Sequence, residues 1–448
     1  MQNIKVDFTK TVGKMKPMHG LNNGPLTGNL RWDARHLFRE AGIPITRLHD
    51  CEYPFGSGEY VDIPCIFKNF DADEDDPASY NFALTDLYLQ AIAESGTKIL
   101  YRLGVSIEHN PIKRYVYPPK DYLKWARICE HIIRHYNDGW ANGMRLGIEY
   151  WEIWTEPNGC NPDDPVMWGG TMRDFAEFYD VAATYLKACF PALKIGGPAF
   201  SSPATPPVYA FFNALRDAGR HPPMDFFSWH GYVNTVEKAK KRANDAAAVL
   251  REYGYPDAES VYDEWNYVRD WNDMNQATEV INSEKGMAFN AAMMAAMQSE
   301  KCDMMNFYAA NWQFAGIWNS LFERDPEINN RNGGLRVLRA KKPFYPFLAF
   351  NALYRLGNQC ELCSDDERLY GAAASDGERG CIMLSSFADT DAPPEEKEVR
   401  FELKGLEGKS VTVRITDSDR TAQKLVSVAA SAFEVVMPPY SMLLITVE

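Results

Sequence analysis

Residues 150–158 read YWEIWTEPN and residues 261–267 read VYDEWNY; in each, a short apolar run ends in a glutamate set among tryptophans. One such glutamate in a chain holding 61 Asp and Glu residues carries no weight, so the signal lies in the repeating pattern around the two. The first stretch contains the run Tyr150–Trp154, and the second overlaps the run Ser260–Tyr262. Similar runs recur at Lys16–Leu21, Ile45–Leu48, Ile99–Leu103, Leu193–Gly197, Phe226–Trp229 and Met304–Phe307. A polar loop and then a helix-like segment follow each. Strands alternating with helices predict parallel βαβ units, and eight units over this length predict an α/β fold, a (β/α)8 TIM barrel.

The intervening segments have helical periodicity. Asp121–Asp138 puts Leu123, Ala126, Ile133 and Tyr136 on one face, and Thr171–Phe190 does the same with Phe175, Phe178, Ala182, Tyr185 and Cys189 before Pro191 stops it. Ser283 is placed to cap the Ala- and Met-rich helix that runs to about Glu300. Active sites of such barrels lie where the strands end. Those ends carry His19, Arg47 with His49, Arg102, Glu156, Pro198, His230 with Tyr232, Glu264 with Asn266, and Tyr308 with Trp312. Two opposed carboxylates are what cleavage of a sugar acetal requires, one to protonate the leaving oxygen and one to meet the anomeric carbon. Tryptophan offers a flat apolar face to a sugar ring.

This collection resembles the retaining glycoside hydrolases of the large barrel clan, clan A, and within it family 39, with its β-xylosidases and α-L-iduronidases. The resemblance rests on ITRLHD (45–50), YNFALTDLYLQAIAESGTKILYRLG (80–104), DYLKWARICEHIIRHY (121–136), YWEIWTEPN, DFFSWHGY (225–232) and DEWNY (263–267). It implies a retaining exo-glycosidase acting on β-linked xylose-like or related sugars, with Glu156 as acid/base and Glu264 as nucleophile. It further implies that Tyr232 donates a hydrogen bond to the nucleophile, that Arg47 keeps it ionised, and that His230 contacts the acid/base. Trp312 would floor the first subsite, Glu323 in the loop IWNSLFERD (317–325) would grip sugar hydroxyls, and His49 and Asn266 would be further substrate contacts.

One residue departs from the family pattern. The acid/base glutamate normally follows an asparagine that binds the sugar 2-hydroxyl, and this chain has Thr155 there. Three readings stay open: a sugar with a different 2-position, rescue by Asn158, Asn266 or His49, or lost activity. The last would leave a glycan-binding protein on a glycosidase scaffold.

From about Cys360 onward, short alternating segments separated by Gly, Asp and Pro predict an antiparallel β-sandwich, to which Ile4–Phe8 near the N-terminus would add a strand. The expected division is residues 1–14 as that strand, 15–357 as the barrel and 358–448 as the β-sandwich. A net charge of −14 argues against nucleic acid and anionic membranes as partners, leaving an oligosaccharide or glycoside, with homo-oligomerisation open. Nine scattered cysteines fit reduced thiols, and the Cys360–Cys363 pair reads as a half-buried strand edge in the absence of a second pair at zinc spacing. The acidic run Asp71–Asp76 reads as a solvated loop. No cofactor or metal is expected, and the sequence, with no leader-like start and no long apolar run, reads as cytoplasmic.

Overall fold

A computed structural model describes residues 1–27, 32–51, 60–108, 112–161, 163, 165–310, 321–325, 336–429 and 431–448. Eight parallel strands close into a barrel: β1 (Gly20–Asn22), β2 (Ile45–Leu48), β3 (Lys98–Leu103), β4 (Tyr150–Ile153), β5 (Lys194–Phe200), β6 (Phe226–His230), β7 (Glu259–Trp265) and β8 (Met304–Phe307). The runs marked in the sequence fall on these strands. Beginning at Gly20 rather than Lys16, β1 leaves His19 before the strand instead of at its end; the imidazole is buried against the rings of Phe350 and Tyr354.

Side chains on a strand alternate, so every second residue enters the barrel. The deepest layer is apolar, built from Ile45, Leu100, Tyr150, Phe226, Val261 and Met304. In this crowded floor β5 contributes Gly196, where a Cβ would fall 2.2 Å from the Phe226 carbonyl oxygen. Two residues further along the strands the interior becomes polar, with Arg47, Arg102, Glu152, Ser228 and Asp263 all buried. Leu48, Tyr101, Trp151, Ile153 and Tyr262 point the other way, into the apolar shell beneath the helices.

The helices are held by their caps. Asp121 accepts from the Lys124 amide at the head of Tyr122–Asn137, Thr171 and Asp174 form a capping box before Met172–Cys189, and Ser283 accepts from Lys285 and Gly286 at the start of Glu284–Met297. On Tyr122–Asn137 the buried stripe begins at Trp125, so Leu123, in the first turn, stays 40% exposed instead of joining Ala126, Ile133 and Tyr136. Among the described residues no helix is long and apolar enough to cross a membrane. Within the acidic run, Asp71 pairs with Lys120 and Glu74 with Lys124 and Arg127.

Four short strands, Leu26–Thr27, Trp32–Asp33, Phe322–Arg324 and Arg336–Ala340, form a small sheet of their own, and the other nine form one curled sheet with its own apolar core, including Ile4, Val6, Ile382, Phe401, Val413 and Ile445. Its edge strand Gln423–Val428 carries no strong apolar alternation, and the sequence reading missed it. Strand Gln2–Lys14 lies inside the sheet, antiparallel to Asn358–Ser364 and parallel to Lys397–Lys404; that second pairing is an exception to the antiparallel pattern. Cys360 is buried and Cys363 exposed on Asn358–Ser364, with both thiols free. Helix Glu284–Met297 joins the two bodies: Ser385 donates to the Ala288 carbonyl at 2.7 Å, and Phe289 packs on Phe387 with ring centroids 5.4 Å apart.

Candidate active site

Strand β7 breaks the alternation where it matters. Its pairing with β6 slips between Tyr262 and Glu264, and its pairing with β8 slips between Tyr262 and Trp265. Irregularities of this kind re-aim side chains next to active sites. Asp263 and Glu264, neighbours that regular pleating would send to opposite faces, therefore both reach the guanidinium of Arg47 on β2. Nη1 donates to Glu264 Oε1 at 2.7 Å, and Nε lies 3.0 Å from Asp263 Oδ2. The same Nε donates to Glu152 Oε2 on β4 at 2.7 Å, and Nη2 donates to the hydroxyl of Thr155 at 3.2 Å.

Glu264 receives a second hydrogen bond, from the Tyr232 hydroxyl to Oε2 at 2.7 Å. Glu156, just beyond β4, stands at φ 44°, a left-handed conformation that costs a side-chain-bearing residue about 1–3 kcal/mol and is characteristic of functional sites. Its Oε1 contacts His230 Nδ1 at 2.8 Å, and that nitrogen lies 3.5 Å from Glu264 Oε2. The two glutamates thus flank one imidazole. They differ in access: the Glu156 side chain is 24% exposed and that of Glu264 only 6%.

The electrostatics follow from burial. For Glu264, loss of water pushes the pKa above the usual carboxylate value; the charges of His230 and Arg47 oppose this without cancelling it, and Glu156 and Asp263 add to it. Arg47 therefore does not hold this carboxyl at an ordinary value. Burial also disfavours charge on His230, but Glu264 and Asp263 overcome it and raise the imidazole well above its ordinary pKa. These charges favour the protonated ring beside Glu156 Oε1.

Thr155 is fully buried, with its hydroxyl facing Arg47. The neighbouring amides are engaged elsewhere. Asn158 exchanges hydrogen bonds with Ser201 at 2.7 and 3.0 Å, and Asn266 donates to the Tyr308 carbonyl at 2.8 Å while accepting from the Tyr267 amide at 2.7 Å. His49, also buried, lies 3.9 Å from Glu264 Oε1 and 3.5 Å from Asp50. Glu323 is on a short strand, Phe322–Arg324, rather than in a loop; it is half-exposed and paired with Arg339 at 2.8 Å. Trp312 lies outside the described residues.

Sequence reasoning passed over Glu152, Asp263 and Asp50. Asp50, at φ 50°, accepts from the Tyr308 hydroxyl at 2.9 Å and the Ile107 amide at 3.2 Å. For Glu152 and Asp263 a signal was present: each is two residues beyond an inward-facing residue of its strand, Tyr150 and Val261. Among the described residues no group of three or more His, Cys, Asp or Glu side chains is arranged to hold a metal ion.

A family model described as glycosyl hydrolases family 39 matches residues 2–424 of the chain. A β-xylosidase from Caldicellulosiruptor saccharolyticus is 24% identical over 429 residues, covering 90% of this chain and 82% of the relative. Among solved structures, a glucosidase from Croceicoccus marinus superposes with a TM-score of 0.76 at 20% identity, over 100% of this chain and 99% of the other. A monomeric β-xylosidase from Caulobacter crescentus CB15 gives 0.69 at 16% identity, over 100% and 99%.

Proposed function

This chain belongs to family 39 of the glycosyl hydrolases and is a glycosidase, and on that premise we propose that it is a retaining exo-glycosidase for β-linked, neutral, xylose-like sugars. The observation that carries the mechanism is the sharing of His230 by the two glutamates. Glu156 Oε1 and Glu264 Oε2 can be no further apart than the sum of their distances to Nδ1. That bound, on the two facing oxygens, is in keeping with the ~5–5.5 Å between carboxyl groups of retaining enzymes.

The difference in access supports a division of roles. Glu264, buried and held through both oxygens by Arg47 and Tyr232, is a fixed anion suited to attack the anomeric carbon. Glu156, closer to solvent, protonates the departing oxygen and later takes a proton from the water that releases the sugar. His230 occupies Glu156 Oε1, which leaves Oε2 for the leaving group.

The described cations near these carboxylates are already paired: Arg47 with Glu152, Asp263 and Glu264, Arg102 with Asp62, and His230 with Glu156. A uronic acid would add a further carboxylate to this site, whereas a neutral sugar would not. Xylose is chosen among neutral sugars because similar proteins carry the name β-xylosidase. Within the same reading, residues 15–357 form the catalytic unit, and residues 1–14 with 358–448 form a bracing unit.

Labelling tests the assignment. Inactivation by 2-fluoro-β-xylosyl fluoride, followed by peptide mass spectrometry, should place the adduct on Glu264, and an adduct on any other side chain overturns this division of roles.

A further inference from the structure

Three carboxylates crowd the single guanidinium of Arg47: Glu152 at 2.7 Å, Asp263 at 3.0 Å and Glu264 at 2.7 Å. The side chains of Glu152 and Asp263 have no solvent exposure at all. The second cation in reach, His230, lies 3.7 Å from Asp263 Oδ1 and is already committed to Glu156. With all three carboxylates ionised, this dry pocket would hold an excess of negative charge. Burial of an uncompensated ion costs several kcal/mol, which proteins avoid by taking up a proton.

The hydrogen bonds show where that proton belongs. Among the described residues, Glu152 Oε1 and both oxygens of Asp263 are buried without a hydrogen-bond partner. Three acceptors together in a dry interior need a donor, and protonation of one carboxyl supplies it. Asp263 faces both cations whereas Glu152 faces only Arg47, so Asp263 is the better place for the negative charge.

We propose that Glu152 is a carboxylic acid in the working protein, donating a hydrogen bond to the Asp263 carboxylate, and that this shared proton lets Arg47 serve Glu264. Glu152 is on this view a positioning residue that acts on the nucleophile through Arg47. Only this last step depends on the glycosidase reading; the proton itself does not.

The charges around the pair agree. For Glu152, burial is the largest influence and Asp263 adds to it; Arg47 opposes both, and the net effect is a pKa of about 8. For Asp263, Arg47 and His230 outweigh burial and bring the pKa down to about 2. Ser228 on β6 and the phenol of Tyr179 on Met172–Cys189 complete the polar surroundings of Glu152.

A sign follows for pH. In the unfolded chain a glutamate titrates near ~4.3. A folded value raised to about 8 means that the stability Glu152 contributes is fully present below the unfolded value and is lost as pH rises from there to about 8. Its ionisation also brings a third anion to Arg47 and loosens the hold on Glu264.

Infrared spectroscopy reads the proton directly. Wild-type protein at pH 6–7 should show the C=O band of a buried carboxylic acid, fading to half its amplitude near pH 8. Glu152→Gln should remove the band and flatten the fall of melting temperature between about pH 5 and 8. Asp263→Asn, which takes away the anion that keeps Glu152 protonated, should also remove it at pH 7. A wild-type spectrum without the band at pH 6, or a band that survives Glu152→Gln, overturns the proposal. If Glu152→Gln fails to fold, the wild-type titration and the Asp263→Asn spectrum decide. None of these readouts uses a glycoside, so an inactive protein that shows the band would refute the glycosidase reading and leave the proton in place.

Discussion

Arg269 donates through Nε and Nη2 to the two oxygens of Asp389, at 3.0 and 2.6 Å, across the junction between barrel and nine-stranded sheet. Asp389 also accepts from Tyr267 at 2.8 Å and from Asn234, and pairs with Lys285 at 2.8 Å. Asn234 is two residues beyond Tyr232, and Tyr267 three beyond Glu264. A single buried carboxylate from the small body therefore ties down the two loops that leave Glu264 and Tyr232. Burial alone would raise its pKa, but these donors hold Asp389 well below the usual carboxylate range.

Asp389→Ala should lower stability by roughly 2–3 kcal/mol, because it leaves Arg269 and Lys285 facing a gap. Calorimetry would measure the loss, and hydrogen exchange should rise at residues 231–235 and 266–273. Exchange unchanged in those loops would show that Asp389 is a passive contact.

In the proposed role Glu264 must be ionised to attack, and its burial raises its pKa. The acidic limb of kcat/KM should thus lie above the ~4.3 of an ordinary glutamate. Because the folded pKa is the higher one, protonation of Glu264 favours the folded state, and its stabilising contribution fades as pH rises through that value. A pH–rate profile with its acidic limb at or below the ordinary value contradicts this account of the pocket.

Glu156→Ala should slow hydrolysis of substrates with poor leaving groups by on the order of 10²–10⁴-fold, while nitrophenyl glycosides, whose leaving groups need no proton, lose far less in the first step. Equal losses on xylobiose and on nitrophenyl β-xyloside would make Glu156 a structural residue.

Thr155→Val keeps the shape and deletes the acceptor that Arg47 Nη2 meets at 3.2 Å. The expected cost is about 1–3 kcal/mol of stability, the range for a buried donor left unsatisfied, measured by chemical denaturation. Thr155→Asn restores the family's residue, and it should raise activity on β-xylosides if the native sugar differs at its 2-position. No gain would remove the 2-position from the explanation.

The barrel was legible because its signal is local: eight apolar runs, each followed by helical periodicity, with Thr171 and Ser283 marking helix starts. Arg47, Glu156, His230, Tyr232 and Glu264 stood out because strand ends converge whatever the loop lengths. Asp263 did not, since strict alternation sends only one of two neighbours inward and a reading that put Glu264 there turned Asp263 outward; the slip in β7 lets both face the barrel. Asp389 could not be found either; its partners are over 100 residues away in the chain. The orientation of Thr155 depends on where Arg47 places its fork, which no neighbouring residue encodes.

Strand Gln2–Lys14 precedes the barrel in the chain, yet its partners Asn358–Ser364 and Lys397–Lys404 follow it. Pairing so distant in the chain is slow to form. The entire barrel must therefore be synthesised while that strand waits with unpaired edges, and the sheet can complete only around a barrel already built. An isolated fragment 358–448 would lack an interior strand of its own sheet. Secretion, tagging or truncation that delays the return of residues 2–14 should yield chains whose barrel is formed and whose sheet stays open to intermolecular pairing.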